Sequence, residues 1–314
     1  MIKRLYTLFI EKPFRHPVSD YVNPLVRLGV RIYRLLYYTI RELIEHETPV
    51  RTAALTFYTL ISIVPILALV FAVLQAMGMI DGLLDDLYGL FPQNPEIIDY
   101  AVDFAEKALA HTRGGIMATV SIIMLFWAVI RVFSSIESAF NNIWEVNSVR
   151  RAARQWALYI GIVLIVPVLW VVAGTFSSHL KEAIDFQDNI FYQFVAQALS
   201  VVMMWTTFTV IYKFIPNTPV HFWSALTAGI AAGTTFLLFQ WGYVYLQRWM
   251  SSYSAIYGSF AALPLFLLWV QSSWQILLFG GELAFAHQHS KLFDDQRRAE
   301  ILHPRRYHKP INRL

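Results

Sequence analysis

Uncharged stretches long enough to cross a bilayer recur along the chain, and their spacing predicts its elements. Between Arg51 and Asp81 lie 29 consecutive residues without a charge. A hydrocarbon core about 30 Å thick needs roughly 20 helical residues to cross it, and within it each backbone polar group must be satisfied inside its own helix. Uncharged windows predict six spans, at 53–79, 115–135, 155–178, 190–212, 222–246 and 258–281. The second carries Arg131 inside its cytoplasmic end, and the run Glu137, Asn141, Asn142, Trp144 continues its helix past the membrane. Between the fifth and sixth spans Arg248 is the sole charge, and the cluster Ser251, Ser252, Tyr253, Ser254 favours a break over one very long helix. The expected fold class is an all-α polytopic membrane protein with six transmembrane helices.

Two further elements do not span. Asn23-Pro24 predicts a helix start and Pro49 a stop. Between them Arg27, Arg31, Arg34, Arg41 and Glu45 fall along one helical face, while Leu25, Leu28, Ile32, Leu35, Leu36, Leu43 and Ile44 occupy much of the rest. This pattern predicts an N-terminal amphipathic interfacial helix on the inner leaflet, with Arg27, Arg31, Arg34 and Arg41 contacting anionic lipid headgroups. A helix packed beneath the bundle is the alternative. The loop 80–114 holds seven acids against two bases, and Ile98, Val102, Ala105 and Leu109 predict a short external cap helix over 95–111.

Composition agrees with the pattern, and charge orients it. Of the 314 residues 57% are hydrophobic and 15% charged, against roughly 25% charged in soluble domains. The organisation expected is a cytoplasmic N-terminal segment with the interfacial helix at 1–48, a six-helix membrane domain at 49–286 and a basic cytoplasmic tail at 287–314. Lys3 and Arg4 precede an apolar patch too short for a secretory signal, so the N-terminus is expected to be retained. The termini and alternate connections hold 21 of the 25 Lys and Arg, leaving four for the opposite side. That asymmetry predicts that both termini are cytoplasmic. The net charge of +4 is then a signal of topology, and no nucleic-acid partner is expected. The absence of cysteine excludes disulfides, thiolate metal sites and a cysteine nucleophile.

Polar groups inside a span cost free energy unless paired. Arg131 and Glu282 close the cytoplasmic ends of the second and sixth spans, which suggests a clamp or a polar site; the alternative is that both reach the inner headgroups. The first span opens with Arg51, Thr52, Thr56, Tyr58, Thr59, Ser62 and Pro65, of which Thr52, Thr56 and Thr59 share a face. Such a face lines a hydrated cavity or, more simply, bonds back to its own helix. Ala225, Gly229 and Gly233, beside Ser224, Ala228 and Ala232, give the fifth span two adjoining stripes of small residues for close packing. Trp144, Trp156, Trp223 and Trp249 lie near span ends and are expected in an aromatic belt. His287, His289, His303 and His308 read as solvated tail histidines, and no P-loop, G-x-S-x-G or HExxH motif is present. No metal and no cofactor is expected.

The stretch Arg51-Thr-Ala-Ala-Leu-Thr-Phe-Tyr-Thr-Leu-Ile-Ser-Ile-Val-Pro65 is the most specific of three. With Phe133 to Trp144, ending Ala-Phe-Asn-Asn-Ile-Trp, and Tyr257-Gly-Ser-Phe-Ala-Ala followed by Trp269 and Gly280-Gly-Glu282-Leu, it resembles the YihY/BrkB family of bacterial inner-membrane proteins. The resemblance runs from about Ile44 to Ala286 and implies six spans. Family members have carried the label ribonuclease BN, and some are associated with serum resistance or export of envelope lipid. Nuclease chemistry would need clustered His and Asp ligands, which this sequence does not offer, so an enzyme is not expected. The expectation is transport or gating of a lipid or other envelope-related amphiphile, with Arg51, Thr56, Tyr58, Pro65, Arg131, Asn141 and Glu282 as its polar site. The rival is an envelope scaffold that recruits protein partners or a second copy of itself. A metal-dependent tRNA-processing nuclease is a third, poorer reading.

Overall fold

The structure is a computed structural model that describes Phe14 and residues 16–20, 23–76, 99, 116–146, 190–251 and 262–302. Among these residues every regular element is helical. After a 3-10 turn at Val18–Asp20 come α1 (Pro24–Glu45), α2 (Thr48–Ala76), α3 (Ile116–Ile143), α4 (Ile190–Phe214), α5 (Phe222–Ser251) and α6 (Ala262–Leu302). Helices α2 to α6 correspond to the first, second, fourth, fifth and sixth predicted spans. The third span and the external cap helix lie outside the described residues, apart from Asp99. By length and composition the stretches Phe194–Phe214 and Phe222–Gln247 are apolar enough to cross a membrane. The chain divides into two units, residues 1–52 with 139–314 and residues 53–138.

In the first unit α5 lies between α4 and α6, and its two stripes of small residues serve the two neighbours. A Cβ on Gly229 would sit 2.9 Å from Thr209 N, and one on Gly233 would sit 2.8 Å from Trp205 Cδ1, so both glycines let α4 come close. On the adjoining stripe, Ala232 Cβ would be 2.7 Å from a Cβ at Gly280 of α6. The α5–α6 pair runs antiparallel: Tyr243 Oη donates to Leu265 O at 3.1 Å near one end, and Ser224 Oγ meets His287 Nδ1 at 2.9 Å near the other. The predicted chain reversal between them is therefore present. Hydroxyls within these helices bond back to their own carbonyls, as Thr206, Thr207, Thr209 and Thr235 do one turn away, so few polar groups need an external partner. The α4–α5 link is fastened by Lys213 Nζ donating to Val220 O and by Asn217 N donating to Asn141 Oδ1 at 2.9 Å.

Helix α1 begins where expected, with Asn23 as N-cap accepting from Leu25 N at 3.0 Å and Pro24 at the first position. It stops at Glu45, because His46 and Glu47 turn the chain and Glu47 has φ 52°. Pro49 is the second residue of α2, where its missing N–H costs nothing. Its faces are placed opposite to those of a soluble helix. The apolar row is exposed, with Leu25 77% and Ile44 68% accessible, and Leu28, Ile32, Leu36 and Ile40 between them also open. The polar row (Arg34, Tyr38, Thr39 and Glu42) is buried, facing α6. An exposed apolar row this long is stable only against lipid or another apolar surface.

This corrects one expected lipid contact. Arg34 is only 3% exposed and pairs with Asp294 of α6 at 2.9 Å, while its second nitrogen donates to His16 O at 2.6 Å. Tyr38 Oη donates to the other oxygen of Asp294 at 2.8 Å, and Phe14, Tyr37, Tyr38 and Phe293 form a ring cluster around the pair. Burial, then the Asp294 carboxylate, pushes the Tyr38 phenol well above its usual range. Arg27 and Arg31 are exposed, and Arg41 is half-buried, bonding Glu45 at 2.9 Å one turn on. The helix α6 also runs on to Leu302, so residues 287–302, expected as tail, continue the helix that holds α1.

The second unit contains most of α2 and α3. Thr59 Oγ1 donates to Leu55 O at 2.8 Å, and Thr56 and Ser62 are buried. Arg131 is exposed, with its guanidinium 5.3 Å from the Trp127 ring centroid.

Candidate functional site

The least exposed carboxylate described is Glu282 on α6, 0% exposed. The elbow between α1 and α2 supplies its partners. His46, the residue capping α1, points Nδ1 at the two oxygens of Glu282, 3.2 and 3.0 Å away. Thr48, opening α2, donates Oγ1 to the first oxygen at 2.6 Å. An ionised carboxylate only accepts, so Nδ1 of His46 carries the proton in this arrangement. Edge contacts hold the ring plane, with Phe285 centred 5.7 Å from His46 and Trp144 packed against Phe285 at 5.5 Å. Trp144 is therefore buried inside the unit, whereas Trp223 is exposed as a belt residue should be.

Two further carboxylates face the far side of the imidazole. Glu42 lies one helical turn before His46, its Oε2 3.9 Å from Nε2, and Glu145, just past the end of α3, places Oε1 3.7 Å away. Burial raises the Glu42 carboxyl to about 7, helped by Glu45 and offset in part by His46 and Arg41. For His46 burial opposes protonation, but the Glu282 hydrogen bond and the surrounding carboxylates outweigh it, and its pKa is raised. Arg51, half-buried, donates Nε to His46 O at 3.1 Å, which ties the elbow's backbone to the start of α2.

Beside this network lies a partly open cleft of about 340 Å³. Leu43, Pro49, Ile276 and Phe279 give it apolar walls, and Thr48, Thr52, Thr235 and Gln275 give it polar points. Thr48 belongs to both features, so the buried carboxylate is one hydroxyl from the cleft. Thr52 accepts from Gln271 Nε2 at 3.1 Å and donates to Pro49 O at 2.7 Å.

The sequence-predicted site is thus gathered in part. Arg51 and Glu282 meet through His46, and Asn141 is committed to the α4–α5 link. Thr56, Tyr58 and Arg131 belong to the second unit, as does Pro65 of α2, whose side chain lies outside the described ones. Glu282, expected opposite Arg131, has His46 and Thr48 as its partners in the first unit. His46, Thr48, Glu42 and Glu145 were not anticipated, although Glu42-x-x-x-His46 places two ligand-type groups on one helical face and was the available signal. His287, expected to be solvated, is half-buried against Ser224, and burial together with Arg31 lowers its pKa.

The family model described as virulence factor BrkB matches residues 39–301, which takes in the elbow, all of this network and the cleft. The chain belongs to the BrkB family. It is 31% identical over 271 residues to a UPF0761 membrane protein of Paraburkholderia xenovorans, covering 81% of this chain and 59% of that one. A UPF0761 membrane protein of Actinobacillus pleuropneumoniae is 30% identical over 242 residues, covering 75% of this chain and 87% of the relative. One from Aliivibrio fischeri is 27% identical over 271 residues, covering 85% and 86%. The chain thus spans less than two thirds of the Paraburkholderia relative and most of the other two. No solved structure matches this BrkB-family chain. Its relatives are membrane proteins by name, and the exposed apolar row of α1 and the apolar helices α4 and α5 are those of a membrane protein too.

Proposed function

We propose that this BrkB-family protein moves or gates an amphiphile of the bacterial envelope across the inner membrane, with both termini in the cytoplasm. The observation that carries the reading is the cleft of about 340 Å³ beside Thr48, which combines apolar walls with a hydroxyl held against a buried carboxylate. An amphiphile needs both surfaces, and a cavity of this volume is at the small end of ligand pockets, enough for part of a lipid chain or a compact headgroup. In the orientation expected from the basic residues, the elbow and the cleft lie toward the inner leaflet, where anionic headgroups are enriched. This reading gives no part to RNA cleavage.

The test is reconstitution into vesicles of mixed zwitterionic and anionic lipid, with a fluorescent phospholipid to follow exchange between leaflets. Protein-dependent exchange is expected, and Thr235→Phe, which fills the cleft, should slow it severalfold while leaving the melting temperature in detergent unchanged. Vesicles that exchange no lipid above the protein-free rate, and pass no small amphiphilic solute, would defeat the proposal.

A further inference from the structure

We infer that Glu42, His46 and Glu145 form a site for one divalent transition cation of the Zn²⁺ class, with Glu282 as the group that orients the histidine. The inference does not depend on the transport reading. Its first support is that the three ligand atoms, His46 Nε2 and one oxygen from each glutamate, all lie within 4.8 Å of one another. A cation bonded at about 2.0–2.2 Å sets neighbouring ligands roughly 3.0–3.5 Å apart. The two carboxylate oxygens stand 3.9 and 3.7 Å from Nε2, a few tenths of an ångström beyond that spacing, and the widest pair of the three would have to close by up to about 1.3 Å. The second support is independent of that grouping. His46 is 4% exposed, and its Nε2 has no hydrogen-bond partner among the described residues, because both glutamates stand too far off to accept a proton from it. A buried nitrogen without a partner is costly as it stands, and it is the atom a metal would take.

The tautomer agrees. In its neutral form, with the proton on Nδ1 and directed at Glu282, His46 presents the Nε2 lone pair to Glu42 and Glu145, and a cation binding there takes the place of the Nε2 proton of the charged ring. A carboxylate that grips the outer nitrogen of a ligating histidine is a recurrent companion of bound zinc, and here Thr48 in turn anchors that carboxylate. Charge points the same way: three glutamates converge on one imidazole, beside the carbonyl end of α1, whose dipole favours a cation. One nitrogen and two carboxylate oxygens suit Zn²⁺ better than Ca²⁺ or Mg²⁺, which take oxygen ligands. Glu145 is held in place by a left-handed backbone, φ 52°, directly after α3. A cation here would staple the α1–α2 elbow to the end of α3.

The experiment uses detergent-purified full-length protein with His303→Gln and His308→Gln, so that chelation by the C-terminal residues is removed. After EDTA treatment and dialysis, Zn²⁺ titration should give one site per chain, and Co²⁺ should give the visible absorption of a nitrogen- and oxygen-bound ion. Glu145→Gln changes an exposed side chain with little risk to folding and should weaken Zn²⁺ at least tenfold. Glu282→Gln should weaken it by roughly 10- to 100-fold without removing a ligand. Saturating Zn²⁺ should also raise the melting temperature of the parent protein, and not that of Glu145→Gln. Absence of Zn²⁺ binding in the parent, or equal affinity in parent and Glu145→Gln, would overturn the assignment.

Discussion

At the residue scale the molecule turns on Glu282. A carboxylate with no exposure survives only while its donors stay in place, so removing one partner leaves the other uncompensated. Glu282→Ala is expected to cost about 3–5 kcal/mol, the range for breaking a buried ionic pair. Thr48→Val, which deletes one bond to a charged acceptor, should cost about 1.5–3 kcal/mol. Thermal unfolding in detergent reads both, and the pair His46→Gln with Glu282→Gln should be clearly non-additive; additive losses would show that the two do not interact. His287 offers a pH-dependent counterpart. Burial and Arg31 lower its folded pKa below the ordinary value of about 6.5, so the folded state takes up its proton later than the unfolded chain does. Stability from this group is therefore complete above about pH 6.5 and is lost as pH falls toward the lowered value. His287→Gln should show a shallower loss of melting temperature between pH 7.5 and 5.5 than the parent, and parallel curves would refute the assignment. Little of this was legible beforehand: Glu282 stood out as a charge at a span end, but its partner lay 236 positions away, in a segment read as interfacial.

At the element scale the sequence was more informative, because hydrophobic length and glycine spacing are local properties. Five of the six predicted spans coincide with described helices, and the extension of α3 past its apolar stretch was anticipated from Glu137 to Trp144. The stripes on α5 announced close approach, though only the structure assigns one stripe to α4 and the other to α6. That assignment makes a sharp contrast. Gly229→Ala would drive a Cβ into the Thr209 hydroxyl and backbone of α4, and overpacking of this kind costs about 1–3 kcal/mol. Gly242→Ala, on the same helix, meets nothing within 4 Å and should be neutral or stabilise by up to about 1 kcal/mol through helix propensity. Similar melting temperatures for the two variants would mean that α4 and α5 do not pack as described. The arginine row of α1 was the weaker reading. Helical periodicity shows that two faces differ, but which face meets protein depends on what the partner offers. Asp294 lies on α6, at residues read as tail, so nothing local revealed that Arg34 would turn inward.

At the scale of the whole molecule, α1 is expected to join the fold to the membrane. Its apolar row from Leu25 to Ile44 is exposed while its polar row is spent on α6, an arrangement that water would penalise by roughly 25 cal/mol for every Å² of apolar surface left open. Lipid removes that penalty, so the helix should lie with Leu28 and Leu36 in the acyl region and with Arg27 and Arg31 near the headgroups. The absence of native cysteine makes a direct measurement possible, since any introduced thiol is the only one. A fluorophore on Leu36→Cys should be quenched by brominated lipid acyl chains and shielded from aqueous iodide, and one on Arg31→Cys should show the reverse. The same approach tests the orientation expected from charge. In intact cells a membrane-impermeant maleimide should label Asp85→Cys from outside, and should label Lys309→Cys only after lysis. Labelling of Lys309→Cys in intact cells would invert the topology and move the cleft to the opposite leaflet, whereas aqueous quenching at Leu36 would mean that protein, and not lipid, covers α1. The two failures are separable, because the first concerns how the bundle is threaded and the second concerns only the surface that one helix presents.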